Sequence, residues 1–243
     1  MHFRLMSYNI HKGIGGMDRR YDLGRIADTI NYYEPDIVLL QEVDEGVPRS
    51  SHHRQVEMLA AATNLPCYAF QRNVRLRVGH YGNAILSRFS IHDTFDVDLT
   101  LPPKKRRGAL VARWQIPVGD ITKSIVLANV HLGLSGFERQ LQLRRLLRQA
   151  HLESLSGNDP LVIAGDYNDV WSSLCRRVMF GHGFEAAGPR IHTFPATLPL
   201  RPLDRVFYRG DLRPLRTFAG HTHTARRASD HLPLIVEFEF TGA

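Results

Sequence analysis

Five clusters place a polar or acidic residue at the end of an apolar run, where a loop can present it. They are Tyr8-Asn9-Ile10-His11-Lys12-Gly13, the run Asp36 to Val43 with Glu42 near its end, and Ala128-Asn129-Val130-His131-Leu132. The fourth is Val162 to Asp169, containing Gly165-Asp166-Tyr167-Asn168. The fifth comes in two pieces, Leu203-Asp204-Arg205-Val206-Phe207 and Ser229-Asp230-His231-Leu232-Pro233. Hydrolysis of a phosphate ester needs these residue types. The substrate is an anion that repels an attacking hydroxide, so charge must be neutralised and a water positioned. Charge developing on the non-bridging and leaving oxygens must then be stabilised. A hard cation such as Mg²⁺ takes oxygen ligands, typically one or two carboxylates with water and phosphate. Glu42, Asp166, Asp230 and the amide of Asn9 are donors of that kind. A carboxylate–imidazole pair, here Asp204 with His231, holds a histidine in one tautomer and favours its charged form.

Each fragment alone has an ordinary explanation. A glutamate after an apolar strand is usually a surface residue, and Ser-Asp-His arises by chance. Gly-Asp-Tyr-Asn suits a turn, and His131 suits a hydrogen-bonded core position. The ordered set carries the inference.

The elements that must position these residues are short strands with helices between them. Strands are expected over 3–10, 36–43, 82–87, 109–116, 124–131, 161–165, 205–209 and 234–240. Helices are expected over 22–33, which ends before Pro35, over 52–63 and over 137–155. In the last, Phe137, Leu141, Leu147 and Ala150 are expected to face the core, with Arg139, Arg144, Arg145 and Arg148 solvated. Residues 99–108 read as a surface loop, with Lys104 to Arg107 solvated, and Gly13 to Gly16 as a turn. Repeats and Ser/Gly linkers are lacking, so residues 1–243 are expected to form one domain.

The chain carries 31 Lys+Arg against 24 Asp+Glu, a net charge of +7, which favours an anionic partner. Cys67 and Cys175 have no metal-ligand or disulfide spacing, consistent with reduced thiols and a cytoplasmic protein. No apolar run approaches the roughly 20 residues of a membrane-spanning helix.

The progression from Asn9 through Glu42, His131, Gly165-Asp166-Tyr167-Asn168 and Asp204 to Ser229-Asp230-His231 resembles the endonuclease/exonuclease/phosphatase superfamily over nearly the whole chain. That superfamily includes pancreatic-type deoxyribonuclease, abasic-site endonucleases, inositol polyphosphate 5-phosphatases and neutral sphingomyelinases. Asn9-Ile10-His11-Lys12-Gly13, Gly82-Asn83-Ala84 and His131-Leu132-Gly133-Leu134 look closest to an uncharacterised bacterial branch. The resemblance implies a four-layer α/β sandwich, two mainly antiparallel sheets face to face with helices outside, and an active site where strand-end loops gather at one edge. It implies Mg²⁺ (or Mn²⁺) held by Glu42 with Asn9 and Asp230. Asp166 and Asn168 would orient water and phosphate, His131 and His231 would contact non-bridging oxygens, and Asp204 would orient His231. Which group takes the water's proton stays open between His231 and Asp166.

His11 stands where many nucleases of the family have an acidic residue, and it is expected to touch phosphate. Tyr81 and Asn83, which follow Arg72, Arg75 and Arg77 in sequence, are further candidates for substrate binding. The leading function is a phosphodiesterase or nuclease acting on nucleic acid, a phospholipid headgroup or a small phosphodiester. The alternatives are a phosphomonoesterase of the inositol-phosphatase type, to which Pro202-Leu203-Asp204-Arg205-Val206 bears some likeness, and a non-catalytic nucleic-acid-binding module.

Overall fold

A computed structural model describes residues 2–118, 121–171 and 173–241. The first half runs β1 (His2–Asn9), α1 (Leu23–Tyr33), β2 (Ile37–Glu45), α2 (Gln55–Ala62), β3 (Cys67–Arg75), β4 (His80–Ser87), β5 (Ile91–Asp98) and β6 (Gly108–Val118). The second half runs β7 (Ile121–His131), α3 (Gly136–Leu147), the single turn α4 (Ala150–Glu153), β8 (Leu161–Asp166), α5 (Ser173–Phe180), β9 (Glu185–Ala186), β10 (Asp204–Arg209), β11 (Leu212–Ala219), α6 (His223–Ala228) and β12 (Leu234–Phe240).

The strands form two six-stranded sheets, ordered β11-β12-β1-β2-β4-β3 and β5-β6-β7-β8-β10-β9. Each sheet is mixed, with one parallel pair at its centre, β1/β2 in the first and β7/β8 in the second. All other pairings are antiparallel. A parallel pair needs a crossover, and α1 supplies one while α3 and α4 supply the other. Three apolar layers hold this together. Leu5, Leu39, Leu110, Trp114, Leu127 and Val162 pack between the sheets. Met6, Leu40, Ile26, Ile30 and Leu59 join the first sheet to α1 and α2. Val130, Ile163, Leu143, Leu146 and Met179 join the second sheet to α3 and α5. Adjacent residues such as Leu39 and Leu40 enter different layers, as the two-residue period of a strand requires. The expected four-layer sandwich is therefore the fold.

The eight expected strands are present. The four that sequence reading omitted, β3, β5, β9 and β11, are the four sheet edges. Edge strands mix polar and apolar residues because one side meets solvent. β11 even carries Pro214 at a register shift, where a missing N–H costs little. Helix α3, expected over 137–155, also differs from expectation. It ends at Leu147 and buries Glu138, Arg139, Gln142, Leu143 and Leu146, while Phe137 lies in solvent. Arg139 turns inward because Asp169 and the Leu134 carbonyl accept its guanidinium, at 3.2 and 2.7 Å.

Gly165 shows how tightly the strand ends are packed. Its φ is +148°, and a Cβ there would lie 1.9 Å from the Val130 carbonyl oxygen on the neighbouring strand. Gly165→Ala is expected to cost about 3 kcal/mol or more, read as a lowered urea midpoint. Gly157, with nothing within 4 Å of its added Cβ, is the control, and Gly157→Ala should stay within about 0.5 kcal/mol of the parent.

Candidate active site

The carboxyl ends of the four central strands converge, the place where ligands bind in open α/β sheets. Asn9 ends β1 and Asp166 ends β8, so each belongs to a different sheet. Asn9 Nδ2 donates to Asp166 Oδ2 at 3.1 Å, and Asn168 N donates to Asp166 Oδ1 at 2.9 Å. Two imidazoles face the same carboxylate oxygen, His131 Nε2 at 3.6 Å and His231 Nε2 at 3.8 Å. Behind His231, its Nδ1 meets Asp204 Oδ2 at 2.8 Å. Thr193 Oγ1 donates to that same oxygen at 2.5 Å, and the Phe194 ring lies 5.0 Å from the His231 ring. Asn168 holds its own loop by donating to the Leu132 carbonyl at 3.0 Å.

Six of the expected residues, Asn9, His131, Asp166, Asn168, Asp204 and His231, thus form one contact network. His11 and Asp230 lie at its flank. His11 N donates to Asn9 Oδ1 at 3.0 Å, and His11 Nδ1 stands 3.9 Å from Asp230 Oδ1. Ser229 Oγ ties this segment to β1 by donating to the Asn9 carbonyl at 2.7 Å. The glycine turn before α1 packs here as well: a Cβ on Gly16 would lie 2.8 Å from Asp230 Cα.

Glu42 reaches the site by a break in its strand. The β2/β4 register shifts between Leu40 and Val43, and Glu42 takes φ +58°. A bulge of this kind re-aims a side chain. Its carboxylate pairs with Lys12 Nζ. Two interior amides fill the gap that the bulge leaves. Asn129 Nδ2 donates to the carbonyls of Leu40 and Ala84, both at 2.8 Å, and Gln41 Nε2 donates to Asn129 Oδ1 at 2.8 Å. These bonds tie the second sheet to the first directly beneath Glu42.

The charges are sorted by their surroundings. Burial opposes ionisation of Glu42, but the positive charges of His131 and Lys12 and the Lys12 hydrogen bond outweigh it, holding the carboxyl at about 2. Burial, reinforced by Arg107, lowers His131 to about 4 against the pull of Asp166 and Glu42. His131 is neutral at pH 7, so Lys12 is the counter-charge that matters to Glu42 there. Burial also opposes the charged form of His231, yet the charge and hydrogen bond of Asp204, with Asp166, raise it to about 10. Burial raises Asp166, opposed by the two histidines.

A cavity of about 420 Å³ opens beside Glu42, walled by Val74, Leu76 and Tyr81 and by Lys12, Arg49, Lys105, Arg106 and Arg107. Burial and the Glu42 carboxylate push the Tyr81 phenol upward, so it stays protonated. Arg72 is spent on Glu45, at 2.6 and 2.8 Å. Asn83 is buried away from solvent, donating to the Gly108 carbonyl at 3.0 Å and Gln71 Oε1 at 3.3 Å. Sequence reading did not single out Lys12, Gln41, Asn129 or Thr193 as site residues. The first three sit inside runs already marked, and Thr193 carries no sequence signal.

Residues 6–231 match the family described as Endonuclease/Exonuclease/phosphatase family. The chain belongs to that family. An uncharacterized protein, YbhP of Escherichia coli (strain K12), is 32% identical over 250 residues, covering 97% of this chain and 95% of that protein. An endonuclease/exonuclease/phosphatase structure from Beutenbergia cavernae superposes with a TM-score of 0.78 at 23% identity, covering 100% of this chain and 72% of that one. The mannosyl-6-phosphatase Bt3783 of Bacteroides thetaiotaomicron superposes at 0.73 with 19% identity, over 98% and 100% of the two chains. The family's phosphoesterase sandwich is thus the frame of this site.

The amide seam beneath Glu42 is testable through stability. Asn129→Leu removes the bonds that its amide donates to the Leu40 and Ala84 carbonyls, while the Gln41 amide keeps the Leu39 carbonyl as an acceptor. Each buried group left without a partner costs about 1–3 kcal/mol. A loss of at least about 3 kcal/mol in urea unfolding is expected. A near-neutral result would show that the seam is not what holds the bulge.

Proposed function

We propose that this chain is a divalent-metal-dependent hydrolase of phosphodiesters. The observation that carries the reading is the buried Asp166 carboxylate, oriented by Asn9 and Asn168 and faced by two imidazoles held in opposite charge states. Environments that push paired groups apart in this way mark acid–base roles.

The residues suit a hard cation. Glu42 is ionised and borders an open cavity, while among the described residues Asn9 Oδ1 accepts one N–H, that of His11, leaving a lone pair. Asp230, partly exposed, is a third oxygen donor. No group of three or more His, Cys, Asp or Glu side chains among the described residues is arranged as a metal cage. Mg²⁺ does not need one, since it keeps several waters and binds through one or two carboxylates plus phosphate. When bound it would supply charge neutralisation of the phosphate and a more acidic water.

The protein groups divide the remaining work. Asp166, fixed on both oxygens, orients the attacking water and takes its proton. His231, held charged by Asp204, donates Nε2–H to a non-bridging oxygen, and neutral His131 holds the opposite side of the phosphate. Asn168 fixes the loop, and His11 stands where a further phosphate oxygen would lie. Tyr81 and the cavity cations receive a substituent of the ester. That substituent space favours a diester over a bare monoester. A purely binding module would have no use for the buried Asp204–His231 pair. The mannosyl-6-phosphatase shows that this fold also accommodates monoesters, so both substrates belong in the test.

Glu42→Gln keeps the shape and removes the anion. Turnover of bis-p-nitrophenyl phosphate should fall by orders of magnitude and recover partly at high Mg²⁺ or Mn²⁺, and chelation by EDTA should abolish it. Full activity in EDTA, or faster turnover of p-nitrophenyl phosphate than of the diester, would defeat the corresponding part of the reading.

Asp204 and His231 are expected to act as a unit. Asp204→Asn and His231→Ala should each remove most of the rate, and the double variant little more than the worse single one. Losses that simply multiply would show independent roles.

A further inference from the structure

Seven large apolar side chains among the described residues are exposed by 63–79%. Six of them lie at the site-bearing edge, five on loops and Phe137 in the first turn of α3. Met17 is in the turn that packs on Asp230, and Leu134 and Phe137 follow His131. Trp171 follows the Asp166–Asn168 loop. Leu198 and Leu200 extend from the segment whose Phe194 ring abuts His231. The seventh, Tyr32, is at the far end of α1. Single exposed apolar residues are ordinary, but six around one opening are not.

The same edge is strongly basic. Arg19, Arg20, Arg75, Arg77, Lys104 and Arg106 are exposed there, and none forms an ion pair with a carboxylate among the described residues. Four of the acidic groups nearby are already engaged: Asp18 with Arg25, Glu45 with Arg72, Asp44 with Arg49 and Asp169 with Arg139. Apolar loop tips interleaved with unpaired cations match a surface that is apolar below and anionic above, such as the headgroup layer of an anionic bilayer. No helix among the described residues is long and apolar enough to cross a membrane, so any such contact through helices would be peripheral.

We propose that the site-bearing edge docks on anionic phospholipid surfaces and that the substrate class is the phospholipid headgroup phosphodiester. The tips enter the interface, the cations meet lipid phosphates, and the cavity beside Glu42 opens toward the headgroups. The substrate part of this inference rests on the phosphodiesterase reading, whereas the docking part does not.

The two tryptophans provide the probe. Trp114 is fully buried and Trp171 is the exposed one, so environment-dependent emission reports on Trp171. The intact chain is titrated, in EDTA, with phosphatidylcholine vesicles and with vesicles containing about one-third phosphatidylglycerol, so that an anionic surface is compared with a neutral one. A blue shift and co-sedimentation with the anionic vesicles, weakened by salt, are expected. The double variant Leu134→Ser/Phe137→Ser should bind at least about tenfold more weakly, as should Lys104→Glu/Arg106→Glu, with thermal unfolding confirming that each is folded. No response to anionic vesicles, or equal binding by the variants, would overturn the docking. The same blue shift on raising protein concentration alone, or on adding duplex DNA, would assign the surface to a second copy or to nucleic acid and overturn it too. Vesicle binding without turnover of any phosphate ester would remove the catalytic reading and leave the docking. Turnover of small diesters without vesicle binding would do the reverse.

Discussion

The hydrogen bond from Asn9 to Asp166 joins the two sheets at the candidate site, where the carboxyl ends of their central strands meet. A carboxylate buried to 2% exposure cannot rely on water, and leaving it unpaired would cost several kcal/mol. It is therefore satisfied by groups from both halves of the sandwich, and the halves cannot slide apart without orphaning it. Asn129 and Gln41 repeat the device one layer deeper, through amides that carry no charge. Below them the interface is mainly apolar, crossed by the bond that Trp114 Nε1 donates to Ser87 Oγ at 2.9 Å. The seam is thus polar beneath the site, where Asn9, Gln41 and Asn129 each bond to a partner contributed across the gap.

That arrangement explains how opposite charges coexist in so small a volume. Lys12 neutralises Glu42, and Asp204 neutralises His231, so the buried ions occur in pairs. Breaking such a pair leaves an uncompensated buried charge, which is costlier than the pair is beneficial. The backbone cooperates by taking unusual conformations at the loop ends. His11, Lys12, Glu42 and Asn168 all have positive φ. Four strained non-glycine residues in one place are the pattern expected where function, rather than stability, has set the geometry.

The molecule is also asymmetric end to end. Both parallel pairs point their carboxyl ends the same way, so the loops that carry chemistry, the basic segments and the exposed apolar tips share one edge. The antiparallel β3–β4 and β5–β6 hairpins, which carry Arg75, Arg77, Lys104 and Arg106, turn at this same edge. Within each sheet the crossover puts the loops after β1 and β2, and after β7 and β8, at one end, and the Asn9–Asp166 contact shows that the two sheets share that end.

Much of this was legible in the sequence. Central strands such as β2 and β8 are covered on both faces and read as unbroken apolar runs. The residues that follow them, Glu42 and Asp166, stand out because they interrupt such runs. The order of Asn9, Glu42, His131, Asp166, Asp204 and His231 pointed to the family and to its fold. What the sequence left open depended on pairing across long separations or on which face meets solvent. The four edge strands escaped because half-solvated strands lose the apolar signal. Phe137 and Arg139 exchanged their expected places because Asp169, 30 residues away, supplies the guanidinium's partner. Asn9 meets Asp166 across 157 residues. No local pattern encodes that contact, because it arises only when two sheets stack and buried polar groups must find each other in place of water.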